Sequence, residues 1–414
     1  MAHSYASKSR PRPGRGGDTS PRLRQARPRD VDRLVSIHTN AYPDARGHDA
    51  RVSHLCNNPL GALDDLWVLE ERGVLVAHGF LFALEAWFGG ERVRIGGIAT
   101  VGVAPEARGR GVGSRLVAHL HEVADARGDA VTVLHPFRQG FYSRLGYAAA
   151  SPYIRLRLDP RAIPWRAELR VRPASGADRS ALASCWEGAG VRRTGTLVRS
   201  ERAWEARLLD ERRTWLVVEG RSGVEGYVAW TVAQDQTLAL STLAIDEMAA
   251  GSGAATRSLW GAVAAQRDHV SEVRVAVATD DPIDRALIDA CGARLGDTHV
   301  ERVLGELVAG PMVRVVDVPR ALAARGWWES GVLVLDIDGE RLELCVRDGR
   351  AAVAPTNADA HIHLDRTTLS AVAFGALRVS HAARLGWLRA RDERSMALAD
   401  ALLELPSYFS PNAF

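Results

Sequence analysis

Thr100–Val117 reads TVGVAPEARGRGVGSRLV, and its order of residue types is that of a strand, a turn and a helix. The strand side is Thr100–Val103, Pro105 marks the turn, and Arg108-x-x-Gly111-x-Gly113 opens the helix. Val112, Leu116, Val117, Leu120, Val123 and Ala124 then share one helical face. Gly111 and Gly113 remove side chains where backbone N–H groups approach a ligand, and the helix N-terminus adds partial positive charge. Such a turn makes a pyrophosphate cradle, with Arg108 and Arg110 adding charge and forked hydrogen bonds. The bare pattern is weak, because in a chain this rich in Arg and Gly it arises by chance about 0.4 times. The flanking strand and helix, and a second apolar strand at Ala130–Leu134, supply the context it needs.

Working outward, the 414 residues fit two or three domains, and 46% hydrophobic with 25% charged residues is the composition of folded globular protein. Eight of the 53 basic residues and two of the 50 acidic ones fall in residues 1–30, so the rest of the chain is slightly acidic. No nucleic-acid partner is expected of such a body. Lys8 is the single lysine, which excludes Schiff-base chemistry and a phosphate-binding GxxxxGK[ST] loop. Cys56, Cys185, Cys291 and Cys345 lie far apart without a CxxC, as expected for a reducing cytoplasm without disulfides or zinc. No apolar run reaches the roughly 18 residues of a membrane span, and the N-terminus lacks a signal-peptide core. A soluble cytoplasmic protein is expected.

Residues 1–20 are poor in apolar side chains and rich in Pro, Gly and Arg, which predicts a disordered basic leader. Beyond it runs an internal echo. Leu23-Arg24-Gln25-Ala26 followed by Asp30 and Leu34 reappears 148 positions later as Val171-Arg172-Pro173-Ala174 followed by Asp178 and Leu182. Val101-Gly102-Val103 and its glycine-rich helix start match Leu243-Ala244-Ile245 with Ala250, Gly253 and Ala255, so two related α/β units in tandem are expected. From Pro311 a hairpin-like pair, Val332–Asp338 and Leu342–Val346 around Asp338-Gly339, precedes a helix expected over Thr368–Leu377, which reads as an α+β domain. Turn residues at Asp159-Pro160 and Gly310-Pro311 place the domains at 21–159, 160–310 and 311–414.

Arg108, Gly111 and Gly113 fill an R/Q-x-x-G-x-G/A loop, and Phe141-Tyr142-Ser143-Arg144-Leu145-Gly146-Tyr147 looks like an FYxxxGF segment with Tyr147 in its last place. On these residues the chain resembles the Gcn5-related N-acetyltransferase superfamily. The resemblance implies acetyl-CoA as co-substrate, its pantetheine arm pairing with the main chain at Val101, Gly102 and Val103. It implies Gly109, Arg110, Gly111, Val112, Gly113 and Ser114 around the pyrophosphate beside Arg108, and Tyr142 as acid. A narrower resemblance covers nearly the whole chain: an intact unit, a second unit with Ala250 where Arg108 stands, and a third domain ending in Phe resemble the enhanced intracellular survival (Eis) family. The fold implied is α/β and α+β, tandem acetyltransferase folds followed by a sterol-carrier-protein-like domain. Also implied are a hexamer, a primary-amine acceptor (aminoglycoside, polyamine or lysine side chain), an empty second unit, and the terminal carboxylate of Phe414 in the first unit's site. Phe137 stands where the family has a small polar residue, leaving coenzyme contacts there to the backbone of Phe137 or Arg138. Ala413 replaces an acidic residue, which implies weaker recognition of polycations.

Acetyl transfer from a thioester needs a neutral amine, a held oxyanion and a proton for the thiolate. A thiol near pKa 8.5 lies about 1.5 units below a tyrosine near 10, so donation by Tyr142 is uphill by about 2 kcal/mol. A carboxylate near 3.5 and an alkylammonium near 10.4 are mismatched by about 7 units, so Phe414 is assigned first to capturing the amine and second to removing its proton. The oxyanion donor expected is the backbone N–H of Val103. His361 and His363 lack a third ligand of suitable spacing, so no metal is expected, and His119 and His121 point different ways from one helix. Rival readings are a non-catalytic binder of an apolar ligand and an assembly subunit with a vestigial loop. An intact loop beside an eroded sister favours the enzyme.

Overall fold

The computed structural model describes residues 21–234, 241–291 and 303–410; the expected leader and Phe414 lie outside them. The first unit contains β1 (Arg22–Gln25), α1 (Val31–Ala41), α2 (His48–Cys56), β2 (Leu66–Glu71), β3 (Val74–Phe88) and β4 (Glu91–Val103). It continues through α3 (Val112–Arg127), β5 (Val131–Leu134), α4 (Gln139–Ser143) and β6 (Ala148–Ala149). The next stretch holds β7 (Tyr153–Leu158), β8 (Arg170–Pro173), α5 (Arg179–Gly190), α6 (Glu201–Leu208), β9 (Arg213–Gly220) and β10 (Gly223–Gln234). After these come β11 (Ser241–Ala250), α7 (Gly253–Ala264), β12 (Glu272–Ala278), α8 (Ile283–Ala286), β13 (Gly305–Val308) and β14 (Met312–Val315).

The echo read in the sequence is a repeated electrostatic joint. Arg24 on β1 donates to Asp30 and Glu70, and Arg172 on β8 donates to Asp178 and Glu219. Each aspartate also accepts a backbone N–H from three residues back, at 2.8 Å from Arg27 and 2.7 Å from Ser175. The joint fixes the angle at which the first strand enters the first helix in both units. Two sheets result, ordered β1-β2-β3-β4-β5-β14-β6 and β13-β7-β12-β11-β10-β9-β8.

Sheet membership cuts across the boundaries expected at 159 and 311. β7 joins the second sheet between β12 and β13, and β14 joins the first between β5 and β6. The cause is apolar content. Met312, Val313 and Val315 are buried, and such a strand is stable only with neighbours on both edges. Asp159-Pro160 and Gly310-Pro311 do interrupt the strands, but a turn marks a change of direction, not of sheet.

The third unit comprises α9 (Val318–Ala324), β15 (Gly331–Ile337), β16 (Glu340–Arg347), β17 (Arg350–Pro355), β18 (Ile362–Leu364), α10 (Arg366–Ala373), α11 (Val379–Arg384), β19 (Leu388–Ala390) and α12 (Glu393–Leu403). Its hairpin pairs Ile337 with Glu340 across Asp338 and Gly339, both at positive φ, the signature of a two-residue type I′ turn. The helix expected to reach Leu377 stops at Ala373, where the chain turns through Gly375 at φ +73°. Phe88, Val93 and Ile95 of the first unit share one core with Leu333, Leu335 and Phe374, so the third unit is fused to the first sheet. Trp87 and Trp327 are buried, whereas Trp328 is exposed. The segment before the C-terminus docks on the second unit, with Phe409 N–H donating to Thr194 at 2.7 Å. Thr196 in turn accepts from Trp87 N–H at 2.9 Å, so three units meet beside the end of β3.

Candidate active site

β4 and β5 pair in parallel from Ile95↔Val131 to Ile98↔Leu134 and then separate. A bulge helps part them: between Phe80↔Ala99 and His78↔Gly102, two residues of β4 face one of β3. Thr100 within it has φ +53°, a sparsely populated conformation for a β-branched residue. Beyond the bulge, the main-chain edge expected to receive a pantetheine arm is covered by the protein's own side chains. Tyr42 O–H donates to the carbonyl of Val101 at 3.2 Å, and Arg108 Nε donates to that of Val103 at 3.2 Å.

The turn after β4 delivers the chain to α3 through Gly109 and Gly111, both at φ +74°. A side chain at either is strained whatever the space around it. Gly111 occupies the N-cap and offers no side-chain acceptor, and no acidic residue lies in the first turn. The N–H groups of Val112, Gly113 and Ser114 therefore meet the criteria of an anion cradle. Gly113 follows inside the first turn of α3. A Cβ there would lie 3.4 Å from Val103 Cγ2 and 3.6 Å from Phe141 Cζ, ordinary van der Waals contact, so packing alone does not demand a glycine at this position.

The arginines stand differently from the sequence expectation. Arg108 lies exposed along the surface, its second donor on the carbonyl of Asn40 at 2.9 Å, and Arg110 pairs with Glu71 together with Arg115. Both guanidiniums hold places from which an anion would have to draw them.

Tyr142 lies on α4, only 3% exposed, edge-on to Phe141 at 4.9 Å and to Phe137 at 5.7 Å. Gly146 turns the chain so that Tyr147 packs beneath it, with Tyr147 O–H bonded to Thr132 at 2.9 Å and to His121 at 3.0 Å. His119 instead meets Glu122, so the two histidines do diverge. Burial, with Tyr42 close by, raises the Tyr142 phenol well above its ordinary value. Donation to a thiolate is then steeper than the sequence arithmetic suggests, unless the thiolate forms in the same desolvated cleft and is raised with it. Phe137 is 71% exposed at the cleft rim, and Arg138 caps α4 by backbone conformation alone.

Sequence reading missed a group of three histidines. His38 on α1, His54 on α2 and His78 on β3 cluster behind the bulge, with ring centroids 5.3 Å apart for His38–His54 and 6.1 Å for His38–His78. Arg51 donates to His38 Nδ1 at 2.8 Å, and His54 Nε2 lies 3.2 Å from Thr100 Oγ1. No local pattern links positions 38, 54 and 78; only the packing of three elements does. Among the described residues, no three His, Cys, Asp or Glu side chains are placed to share a metal.

The second unit repeats the plan and closes its loop. β11 and β12 part after Ile245↔Val275, with Asp246 as the bulge residue. At the start of α7, however, Ser252 accepts from Ala255 N–H at 3.1 Å and donates to Glu225 at 3.0 Å. A satisfied helix start beside a carboxylate is hostile to a phosphate. A cavity of about 850 Å³ remains in that cleft, lined by Trp165, Glu247, Arg257, Trp260 and Phe409 among others.

Residues 22–150 and 195–315 each match an acetyltransferase (GNAT) domain family, and residues 318–410 match a sterol carrier protein domain. An uncharacterized N-acetyltransferase of Streptomyces avermitilis is 31% identical over 342 residues, 76% of this chain and 79% of that protein. N-acetyltransferase Eis of Mycobacterium tuberculosis is 29% identical over 327 residues, covering 74% and 77%. Solved structures share the fold: a Gcn5-related N-acetyltransferase from Anabaena variabilis has a TM-score of 0.84 at 20% identity, covering 95% of this chain and all of that one. Eis1 from Mycobacterium abscessus has a TM-score of 0.76 at 21% identity, with coverage of 95% and 100%. Among the described residues no helix is long and apolar enough to cross a membrane. A chain with two such acetyltransferase units, of which the first keeps an uncapped glycine turn, and a sterol-carrier-like third unit belongs to the Eis family of Gcn5-related N-acetyltransferases and is an acyltransferase.

Proposed function

We propose that the first unit transfers the acetyl group of acetyl-CoA to a primary amine, an aminoglycoside, polyamine or lysine side chain, by direct attack in a ternary complex. The observation that carries this reading is the uncapped start of α3 behind Gly109 and Gly111, at the mouth of the parted strands β4 and β5. Acetyl-CoA supplies the activated acyl group. The N–H groups of residues 111–114 hold its diphosphate, Arg108 and Arg110 swing onto the phosphates, and Val101–Val103 exchange Tyr42 and Arg108 for the pantetheine amides. Val103 N–H faces the oxyanion. Phe137 and Arg138 flank the coenzyme through backbone groups, and Tyr142 protonates the leaving sulfur. Phe414 lies outside the described residues, and its role stays with the family resemblance, as does the hexamer; the cytoplasmic location rests on the wide spacing of the four cysteines.

Thiol release from acetyl-CoA, measured over a panel of alkylamines, tests the activity. In that assay Tyr142→Phe is expected to lower kcat by about 100-fold with little change in KM for acetyl-CoA, the mark of an acid used only in the transition state. An unchanged kcat removes Tyr142 from the chemistry.

A further inference from the structure

The cleft of the second unit has lost its phosphate turn but not its volume. β11 and β12 are neighbours in the sheet, yet they pair only from Thr242↔Glu272 to Ile245↔Val275. Residues of both strands beyond that point line the cavity of about 850 Å³. That size falls within the roughly 300–1,000 Å³ of small-ligand sites. Its apolar wall joins Ile245 and Met248 of β11, Val277 of β12, Trp165 and Trp260 to Phe409 of the C-terminal segment. That segment is held in place by its own backbone, since Ser407 N–H donates to Asp280 at 2.6 Å and Phe409 N–H to the carbonyl of Thr194.

The charges around this cavity decide what it can take. The carboxylates of its lining are already neutralised: Asp246 by Arg213 at 3.0 Å, Glu247 by Arg199 and Arg207, and Asp281 by Arg193. Two of its aromatic faces are covered by guanidiniums, Trp186 by Arg199 at 3.6 Å and Phe409 by Arg193 at 5.5 Å. A cationic ligand therefore finds neither a free carboxylate nor those two rings. The arginines of the lining differ from one another. Arg193 and Arg257 have carboxylate partners, Asp281 and Glu168. Among the described residues no carboxylate stands within ion-pair distance of Arg192, and its guanidinium reaches the Ala250 carbonyl at 3.5 Å, the outer limit of a hydrogen bond.

We propose that this cavity binds a small aromatic carboxylate, its flat body against Trp165 and Trp260 and its carboxylate on the guanidinium of Arg192. The planar fork of an arginine matches the two oxygens of a carboxylate in parallel hydrogen bonds. Arg192 is exposed at the rim, so the anion keeps part of its hydration while the ring is withdrawn from water. Among the described residues Trp165 and Trp260 carry no cation on their rings, which leaves their faces to a ligand, and a flat ring uses such faces better than an alkyl chain does. A phosphate-bearing ligand is disfavoured by the Ser252 cap and by Glu225 behind it. All of the lining lies at or after residue 165, so occupancy of this cavity stands apart from acetyl transfer at the α3 turn.

The test is titration calorimetry on the full chain with four probes: 2-naphthoate, its neutral isostere 2-naphthamide, the cation 2-naphthylmethylammonium and the flexible anion decanoate. One equivalent of 2-naphthoate is expected to bind, at least about tenfold tighter than the amide or the ammonium and tighter than decanoate. Saturating coenzyme A should leave that affinity unchanged. Arg192→Ala should bring naphthoate and naphthamide to equal affinity at an unaltered melting temperature, because the side chain is exposed. Ala250→Trp, which puts an indole into the cavity, should remove the binding of both. If that variant melts far below the unmodified protein, the Arg192→Ala comparison alone decides. No saturable binding of naphthoate, equal affinity for acid and amide, or a preference for the ammonium or for decanoate overturns the proposal. So does competition with coenzyme A, or an Arg192→Ala variant that keeps the tenfold preference.

Discussion

Gly111→Val is expected to abolish measurable coenzyme A binding, a loss of at least about 100-fold, while costing the fold only about 2 kcal/mol. Two effects combine at this position. The residue sits at φ +74°, where a β-branched side chain is strained, and a Cβ there meets nothing within 4 Å, so it would project into the open space proposed for the diphosphate. Strain alone could mimic a binding defect by reshaping the turn. Gly128 separates the two, because it caps the other end of the same helix at φ +83° with equally open surroundings. Gly128→Val should lower the melting temperature comparably and leave coenzyme A affinity unchanged, read by calorimetry on both variants. If both lose affinity equally, or neither does, the turn at Gly111 is not the cradle.

That turn was legible because its requirements are local: a glycine at positive φ, a helix start and a preceding strand fall within eighteen consecutive letters. The tandem repeat was legible for a similar reason, since the Arg24–Asp30 and Arg172–Asp178 pairs are six-residue spacings fixed by one strand-to-helix joint. What remained hidden depends on residues distant in sequence. The destination of β14 is set by its pairing with Val131–Leu134, nearly two hundred positions upstream, and nothing in Met312–Val315 names that partner. Likewise, Arg108 was read as a phosphate ligand from its place in the motif, yet its partners in the structure are carbonyls of Val103 and Asn40, the latter on another element. The group of three histidines needed α1, α2 and β3 to be assembled before it existed.

The largest stability loss is expected in the second unit, from Glu247→Leu. The Glu247 side chain is fully buried and accepts from Arg199 at 2.9 Å, Arg207 at 2.6 Å and Tyr227 O–H at 3.0 Å. Arg199 is itself clamped between Trp186 at 3.6 Å and Trp204 at 4.6 Å, so it cannot swing to water when its partner is removed. Two guanidiniums left without their carboxylate cost about 3–5 kcal/mol, more than most apolar truncations. Arg207→Leu should cost less, because Arg199 still neutralises the carboxylate and Arg207 is partly exposed. Burial alone would raise the Glu247 carboxyl, but Arg199 and Arg207 outweigh it and hold it below its ordinary value. A carboxyl lowered on folding contributes stability that is complete above its unfolded pKa of about 4.3 and fades as pH falls through the folded value. Calorimetric scans should therefore show the second unit's transition losing stability below about pH 4 in the native protein, and losing that dependence in the variant. The position also bears on why the units diverged. Glu247 follows its bulge opposite Ala229, as Gly102 follows its bulge opposite His78. Where the first unit keeps a small residue and a buried imidazole beside its cleft, the second has filled the site with a neutralised ion network, so Glu247→Leu should leave coenzyme A binding by the first unit intact. A variant that lost both together would mean that the network supports the first cleft as well.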